Sequence, residues 1–157
     1  MKTRYALLAG SIAVLTAVSV VSATSAPAPK VTGAGQTLEG TTGAGDTIAF
    51  VAQDTDGDAG NAARGQVQYV DREDGTQTVQ HGLIDCLLYE GENSARFAGT
   101  WKGGGTFEIA VTDNGQGANA EEDLIGVFPM AEPDCMNDDG PSDDAATALA
   151  RGNVQVH

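Results

Sequence analysis

Basic side chains are scarce in this chain. Eight Lys and Arg residues stand against 22 Asp and Glu, and the formal net charge is −14 at pH 7. A protein that binds nucleic acid or anionic lipid needs a basic face, so the composition argues against both kinds of partner. Two explanations of the acidity stay open: a surface adapted to high salt, and local cation sites.

Residues that serve nucleophilic catalysis are also few. Beyond residue 26 the only serines are Ser94 and Ser142, and neither lies in a Gly-x-Ser-x-Gly turn. His81 and Asp85 form the one local acid–base pair, and a pair of this kind on a strand is typical of a surface. We therefore predict no catalytic residue. An acid–base hydrolase that uses a pair of Asp or Glu residues is the remaining enzymatic hypothesis.

Cysteine is limited to Cys86 and Cys135, and neither belongs to a Cys-x-x-Cys motif. An even pair in an exported protein predicts one disulfide. The bond closes a loop of about 50 residues and contributes ~4 kcal/mol of stability by the loop-entropy argument. A zinc site with His81 and His157 is the alternative, and it lacks the short cysteine spacing of structural zinc sites.

The first 26 residues carry the features of an export signal. A charged start precedes an apolar run without ionisable groups, residues 6–21, and small residues that suit signal peptidase follow it. The run is shorter than the about 20 apolar residues of a membrane span. We predict that residues 1–26 are removed. Residues 27–157 then form one secreted, extracellular, monomeric domain, with residues 27–30 as a short spacer.

Short runs of alternating apolar residues recur after residue 31, separated by Gly, Asn or Asp. The clearest is 106–112, where Phe107, Ile109 and Val111 share one face. About eight runs are present: 31–38, 46–52, 66–69, 78–89, 95–101, 106–112, 124–128 and 153–156. Helix signals are limited to one or two turns within 143–151. The pattern predicts an all-β fold, an antiparallel sandwich or a small barrel.

An acidic loop at 54–61 places Asp54, Asp56 and Asp58 at alternate positions, and such carboxylates can converge on a hard cation. The loop lacks the Gly and the bidentate Glu of an EF-hand, and no helix pattern flanks it. Calcium is therefore the one cofactor that the sequence suggests, with these three residues as candidate ligands. A solvated hairpin loop is the alternative.

Several segments together resemble a known family: 30–35 (Lys-Val-Thr-Gly-Ala-Gly), 65–71 (Gly-Gln-Val-Gln-Tyr-Val-Asp), 95–99, 111–115 and 152–157. Over nearly all of residues 27–157 the chain is similar to the small secreted β-domains of the post-COAP type. Ala34 replaces a glycine that is usual there, and Gln116 and Gly117 replace a Glu-Pro pair, which changes turn chemistry. The resemblance implies export and an all-β domain, and it implies no activity and no site residues.

Trp101, the only tryptophan, has two interpretations: a core residue, the commoner fate of a lone tryptophan on a strand, or a platform on which a sugar ring stacks. The sequence favours a secreted, non-enzymatic β-domain, a binding or structural module whose partner is an unknown extracellular ligand or surface component. The alternative function is a calcium-stabilised domain that binds a carbohydrate or a surface.

Overall fold

All regular structure described for this chain is β-strand. The computed structural model describes residues 28–37, 45–57, 62–72, 76–117, 120–136 and 146–157. Within these ranges lie eight strands: β1 (Lys30–Thr37), β2 (Thr47–Asp54), β3 (Ala63–Asp71), β4 (Thr78–Tyr89), β5 (Ser94–Trp101), β6 (Thr106–Thr112), β7 (Leu124–Met130) and β8 (Thr147–Val156). No described segment is a helix long and apolar enough to cross a membrane. The predicted signal segment lies outside the described residues.

The strands form a closed antiparallel barrel in which each strand pairs with its neighbour in sequence and β8 returns to β1. The all-β prediction is confirmed, and of the two predicted architectures the barrel is the one adopted. Closure gives each strand two partners, so no strand is left with a free edge along its whole length. The long β1–β8 pairing, from Val31 opposite Val156 to Thr37 opposite Leu149, closes the ring.

The barrel interior is filled with apolar side chains from alternate positions of each strand. Phe107, Ile109 and Val111 of β6 point inward as the sequence predicts, and each is at most 1% exposed. An eight-stranded barrel has an interior just wide enough for side chains to fill it. Other strands contribute Val31, Ile48, Phe50, Val67, Ile84, Leu87, Phe97, Ile125, Leu149 and Val154.

Glycine is required at two points where neighbouring strands approach closely. A Cβ atom on Gly65 would lie 1.9 Å from the carbonyl oxygen of Val51, and one on Gly99 would lie 1.9 Å from the carbonyl oxygen of Leu83. No side chain fits at such distances, so both residues permit strong bending of the sheet.

The helical turns predicted within 143–151 are wrong over the described part of that range. Residues 147–151 belong to β8, and Gln36 of β1 pairs with Arg151. The local alanine content favours a helix, but the pairing that closes the barrel overrides this preference. Residues 143–145 lie outside the described residues.

The predicted disulfide is confirmed: Cys86 and Cys135 are bonded, with their Cα atoms 6.0 Å apart. The pairing of β4 with β5 is irregular between Ile84 and Cys86, so Leu87 returns to the core while Cys86 lies outside it. The bond fixes residues 131–136, here called the strap, against the outer face of the barrel. Because both sulfurs are in this bond, the structure does not form the alternative zinc site.

The pairing of β7 with β8 is here called the seam. Among the described residues it comprises two residue pairs, Leu124 with Ala148 and Ile125 with Thr147. Farther along, β8 is held by acidic side chains: the Asp113 carboxylate accepts the backbone N–H of Val156 at 3.2 Å. Carboxylates therefore replace part of the backbone ladder at the seam.

Candidate functional site

A partly enclosed pocket opens at the end of the barrel where β4 begins and β5 ends. Its volume is about 430 Å³, and its walls are the first residues of β4 and the turn between β5 and β6. The lining residues are Thr78, Val79, Gln80, His81, Trp101, Lys102, Gly103 and Gly104. We call this cavity the mouth pocket.

Trp101 is the largest side chain of the mouth pocket and is held by other aromatic rings. Its indole stacks on Tyr69 with the ring centroids 6.3 Å apart and lies against Phe107 at 4.2 Å. The indole is half-buried, so it packs on the core and also lines the pocket. The packing on the core agrees with the first interpretation of this residue, and its role as a platform for a sugar ring stays a prediction. Aromatic contacts of this kind fix the ring plane.

Tyr69, the ring behind Trp101, is anchored by a polar network. Its hydroxyl donates to Oδ2 of Asp46 at 2.5 Å, and Oδ1 of Asp46 accepts the backbone N–H of Arg72 at 2.9 Å. The Arg72 guanidinium donates in turn to the carbonyl oxygen of Gly45 at 2.8 Å and to the hydroxyl of Thr47 at 2.5 Å. The ring of Tyr69, and through it the aromatic stack, is therefore held in place by this hydrogen-bond network.

The rim of the mouth pocket combines polar side chains with a tight turn. Thr78 and Gln80 bring a hydroxyl and an amide, and the backbone N–H of Lys102 donates to the carbonyl oxygen of His81 at 2.8 Å, which ties the turn to β4. Gly104 adopts a positive φ of 95°, a conformation that favours glycine. None of the described lining residues is Asp or Glu. The pocket is therefore lined by an indole that two aromatic rings hold, by neutral polar residues and by two basic residues.

The acidic loop predicted to bind calcium lies at the opposite end of the barrel. Asp54 ends β2 and is 5% exposed, Asp56 is exposed in the following bend, and Asp58 lies outside the described residues. Oδ1 of Asp54 accepts the backbone N–H groups of Asp56 at 3.0 Å and Gly57 at 2.9 Å. These hydrogen bonds lower the pKa of Asp54 although burial opposes this effect, and the bond from Gly57 contributes most.

Asp54 therefore acts as a turn-forming residue in the structure. Among the described residues no group of three or more His, Cys, Asp or Glu is arranged to hold a metal ion. The calcium site at Asp54, Asp56 and Asp58 stays a prediction.

The other residues considered from the sequence lie apart from one another. His81 is exposed at the mouth pocket, and Asp85 accepts a hydrogen bond from the Thr100 hydroxyl at 3.2 Å. Ser94 shares a hydroxyl hydrogen bond of 3.2 Å with Thr112, while Ser142 lies outside the described residues. The backbone N–H of His157 donates to the carbonyl oxygen of Lys30 at 3.0 Å, so this residue extends the β1–β8 pairing.

A second, more open cleft runs along the seam, with a volume of about 290 Å³. Glu121, Glu122 and Asp123 line it on one side and Arg151 on the other. It holds no aromatic side chain among its described residues, and its acidic groups are close to the bonds that hold β8. We therefore regard the mouth pocket as the better candidate site.

Sequence reasoning singled out Trp101 and missed the residues that make it a site. Gln80 and Lys102 carry no motif, and the sequence marks Tyr69 only as part of an alternating strand. The one available signal was the run Gly103–Gly104–Gly105, which is separated from the only tryptophan by Lys102 and indicates a tight turn beside an aromatic ring.

Comparisons of the chain with protein-family models, with curated proteins and with solved structures find no match. The resemblance to the post-COAP-type domains therefore stays a prediction.

Proposed function

We propose that the protein is an extracellular binding module that holds a ring-shaped ligand, a saccharide by chemical class, in the mouth pocket. One observation carries the proposal: Trp101 is fixed by Tyr69 and Phe107 and lines a partly enclosed pocket with a polar rim. Ligand sites typically combine an apolar or aromatic surface with a few placed polar groups.

The chemistry of the pocket suits a saccharide. The C–H face of a sugar ring can lie on the indole of Trp101, while its hydroxyl groups exchange hydrogen bonds with the Gln80 amide and the Thr78 hydroxyl. Because the indole is already held in place, binding costs little side-chain entropy. No nucleophile or general base is assigned to the site, so the proposed role is binding without turnover.

An extracellular location is part of the proposal. The disulfide between Cys86 and Cys135 is compatible with an oxidising compartment, and no described segment is a membrane-crossing helix. The export signal expected at residues 1–26 and the resemblance to secreted β-domains point the same way.

The intrinsic fluorescence of the only tryptophan tests the proposal directly. We expect a saturable change in Trp101 emission when one member of a panel of neutral and acidic oligosaccharides is titrated into the oxidised protein. Calorimetry should show that Trp101→Ala abolishes the binding heat, whereas Val51→Ala, on the exposed outer face of β2, leaves it unchanged. Absence of saturable binding across the panel, with folded protein, would reject the proposal.

A further inference from the structure

Glu108 is a buried charge-bearing residue on the side of the sheet where solvent is expected. Its neighbours in sequence, Phe107 and Ile109, point into the barrel, so Glu108 lies on the outer face. Opposite it stand Ala98 of β5 and Phe128 of β7. Even so, Glu108 is 0% exposed.

The surroundings of Glu108 do not match its charge. Neither carboxyl oxygen has a hydrogen-bond partner among the described residues. The nearest cation is Arg96, whose Nη1 lies 3.7 Å from Oε1, and the same guanidinium also pairs with Glu90. Burial raises the pKa of Glu108, Arg96 opposes this effect, and the charges of Glu90 and Asp134 add to it. A buried carboxylate with so few bonds is costly.

The strap lies beside Glu108 on this outer face. Cys135 is 1% exposed and packs with Cys86 and Ala98, the cross-strand neighbour of Glu108, in a small apolar cluster separate from the barrel core. Leu88 packs against the same cluster. Asp134, the preceding strap residue, is close enough to affect Glu108 electrostatically. The disulfide is the covalent tie that holds the strap there.

We infer that the Cys86–Cys135 disulfide is a latch that holds the strap over Glu108, so that reduction of this bond exposes the carboxyl group to water. A small dithiol breaks the sulfur–sulfur bond. Each cysteine sulfur gains one electron and one proton, and the dithiol loses two of each as it closes to its own cyclic disulfide. The barrel itself stays folded, because its ladder of strands does not include the strap.

The latch and the proton on Glu108 are thermodynamically linked. A closed strap favours the neutral acid, so protonation must favour the closed strap by the same factor. Arg96 and Glu90 face the carboxyl group from β5 and the end of β4, and Asp134 faces it from the strap. At pH values above the usual pKa of a glutamate, the equilibrium for closing the strap should therefore become less favourable as the pH rises.

The test is the equilibrium between the oxidised full chain and dithiothreitol, measured from pH 5 to pH 8 by acid quench, alkylation and mass spectrometry. The variant is Glu108→Gln, and the matched control is Glu92→Gln, an exposed acid in the β4–β5 turn. Taking the ratio of each variant to the wild type cancels the titration of the cysteines. Hydrogen exchange of the reduced protein reports separately on the strap and on the barrel.

We expect the wild-type equilibrium constant for disulfide formation, relative to Glu108→Gln, to fall by up to tenfold per pH unit within part of this range. The Glu92→Gln ratio should stay flat. Reduction should raise exchange in residues 131–136 and leave β1–β3 protected. A flat ratio for Glu108→Gln, or loss of protection throughout the barrel on reduction, would overturn the inference.

Discussion

The carboxylate of Asp123 accepts the backbone N–H of Val154 at 2.6 Å, beside the two residue pairs that β7 and β8 form in the described part of the seam. Its other oxygen accepts the backbone N–H of Asn114 at 2.9 Å, and its own carbonyl oxygen accepts the N–H of Leu149 at 2.9 Å. One residue thus joins the β6–β7 loop, β7 and β8. Asp123 is 7% exposed and Val154 is fully buried.

Replacing Asp123 by Ala should therefore destabilise the barrel. The change leaves the N–H groups of Asn114 and Val154 without their acceptor, and each buried unpaired donor costs roughly 1–3 kcal/mol. Urea unfolding monitored by the fluorescence of Trp101 measures the loss. Glu122→Ala is the control, because only the carbonyl oxygen of Glu122 accepts a bond here, from the Asn114 side chain. Equal effects of the two substitutions would contradict the bridging role of Asp123.

Removing the hydroxyl groups of two tyrosines at opposite ends of the barrel should have different effects on the stability of the protein. Tyr69→Phe breaks the bond to Asp46 and should cost about 1–2 kcal/mol. The Tyr89 hydroxyl is buried without a hydrogen-bond partner among the described residues, so Tyr89→Phe should be neutral or stabilising by up to ~1 kcal/mol. Thermal unfolding at pH 7 distinguishes the pair. Destabilisation by Tyr89→Phe would show that this hydroxyl has a partner.

Tyr89 should also ionise at a higher pH than an ordinary tyrosine. Desolvation, with a further contribution from the charge of Asp54, raises its pKa from 10.0 to about 12. Because the folded pKa is the higher one, the associated stability is present below pH 10 and is lost as the pH rises toward 12. Ultraviolet titration of the folded protein should lose one late-ionising tyrosine in Tyr89→Phe. An unchanged titration curve would refute the shift.

Glu108→Gln should stabilise the oxidised protein at neutral pH. The folded pKa of Glu108 is raised, so its protonation stabilises the fold fully below the unfolded value of 4.5, and this contribution is lost as the pH rises through the folded pKa. Each unit of separation between the two pKa values costs the wild type about 1.4 kcal/mol once both states are ionised. The advantage of the glutamine variant should vanish near pH 4. A constant difference across pH would contradict this account.

The strand pattern was predictable from the sequence because several strands carry apolar residues at alternate positions, and these side chains fill the barrel interior. β6 shows this most clearly, with Phe107, Ile109 and Val111 inward. The disulfide was predictable from the cysteine count. The choice between sandwich and barrel was not, since it depends on whether β1 pairs with β8, and no local pattern encodes a pairing between the two ends of a chain.

The candidate site was predictable only in part. Trp101 stands out by composition, but its support by Tyr69 and Asp46 joins residues distant in sequence. The alternation along β6 places Glu108 on the outer face, where solvent is expected. Its complete burial, beside the strap that the Cys86–Cys135 bond holds, was not predictable, because alternation along a strand carries no information about packing by other parts of the chain.

Asp54 should stabilise the β2–β3 turn whether or not a cation binds there. Asp54→Ala removes the acceptor of the Asp56 and Gly57 N–H groups and should cost roughly 1–3 kcal/mol, whereas Asp56→Ala keeps both of these backbone bonds and should cost less in chelator. The pKa of Asp54 is lowered from 3.8, so its contribution is present above that value and is lost as the pH falls through the folded pKa. Thermal unfolding in chelator measures both variants, and repeating it in millimolar calcium tests the predicted cation site. A calcium-dependent rise in Tm that Asp56→Ala removes would support calcium binding, and equal stability of the two variants in chelator would contradict the turn role of Asp54.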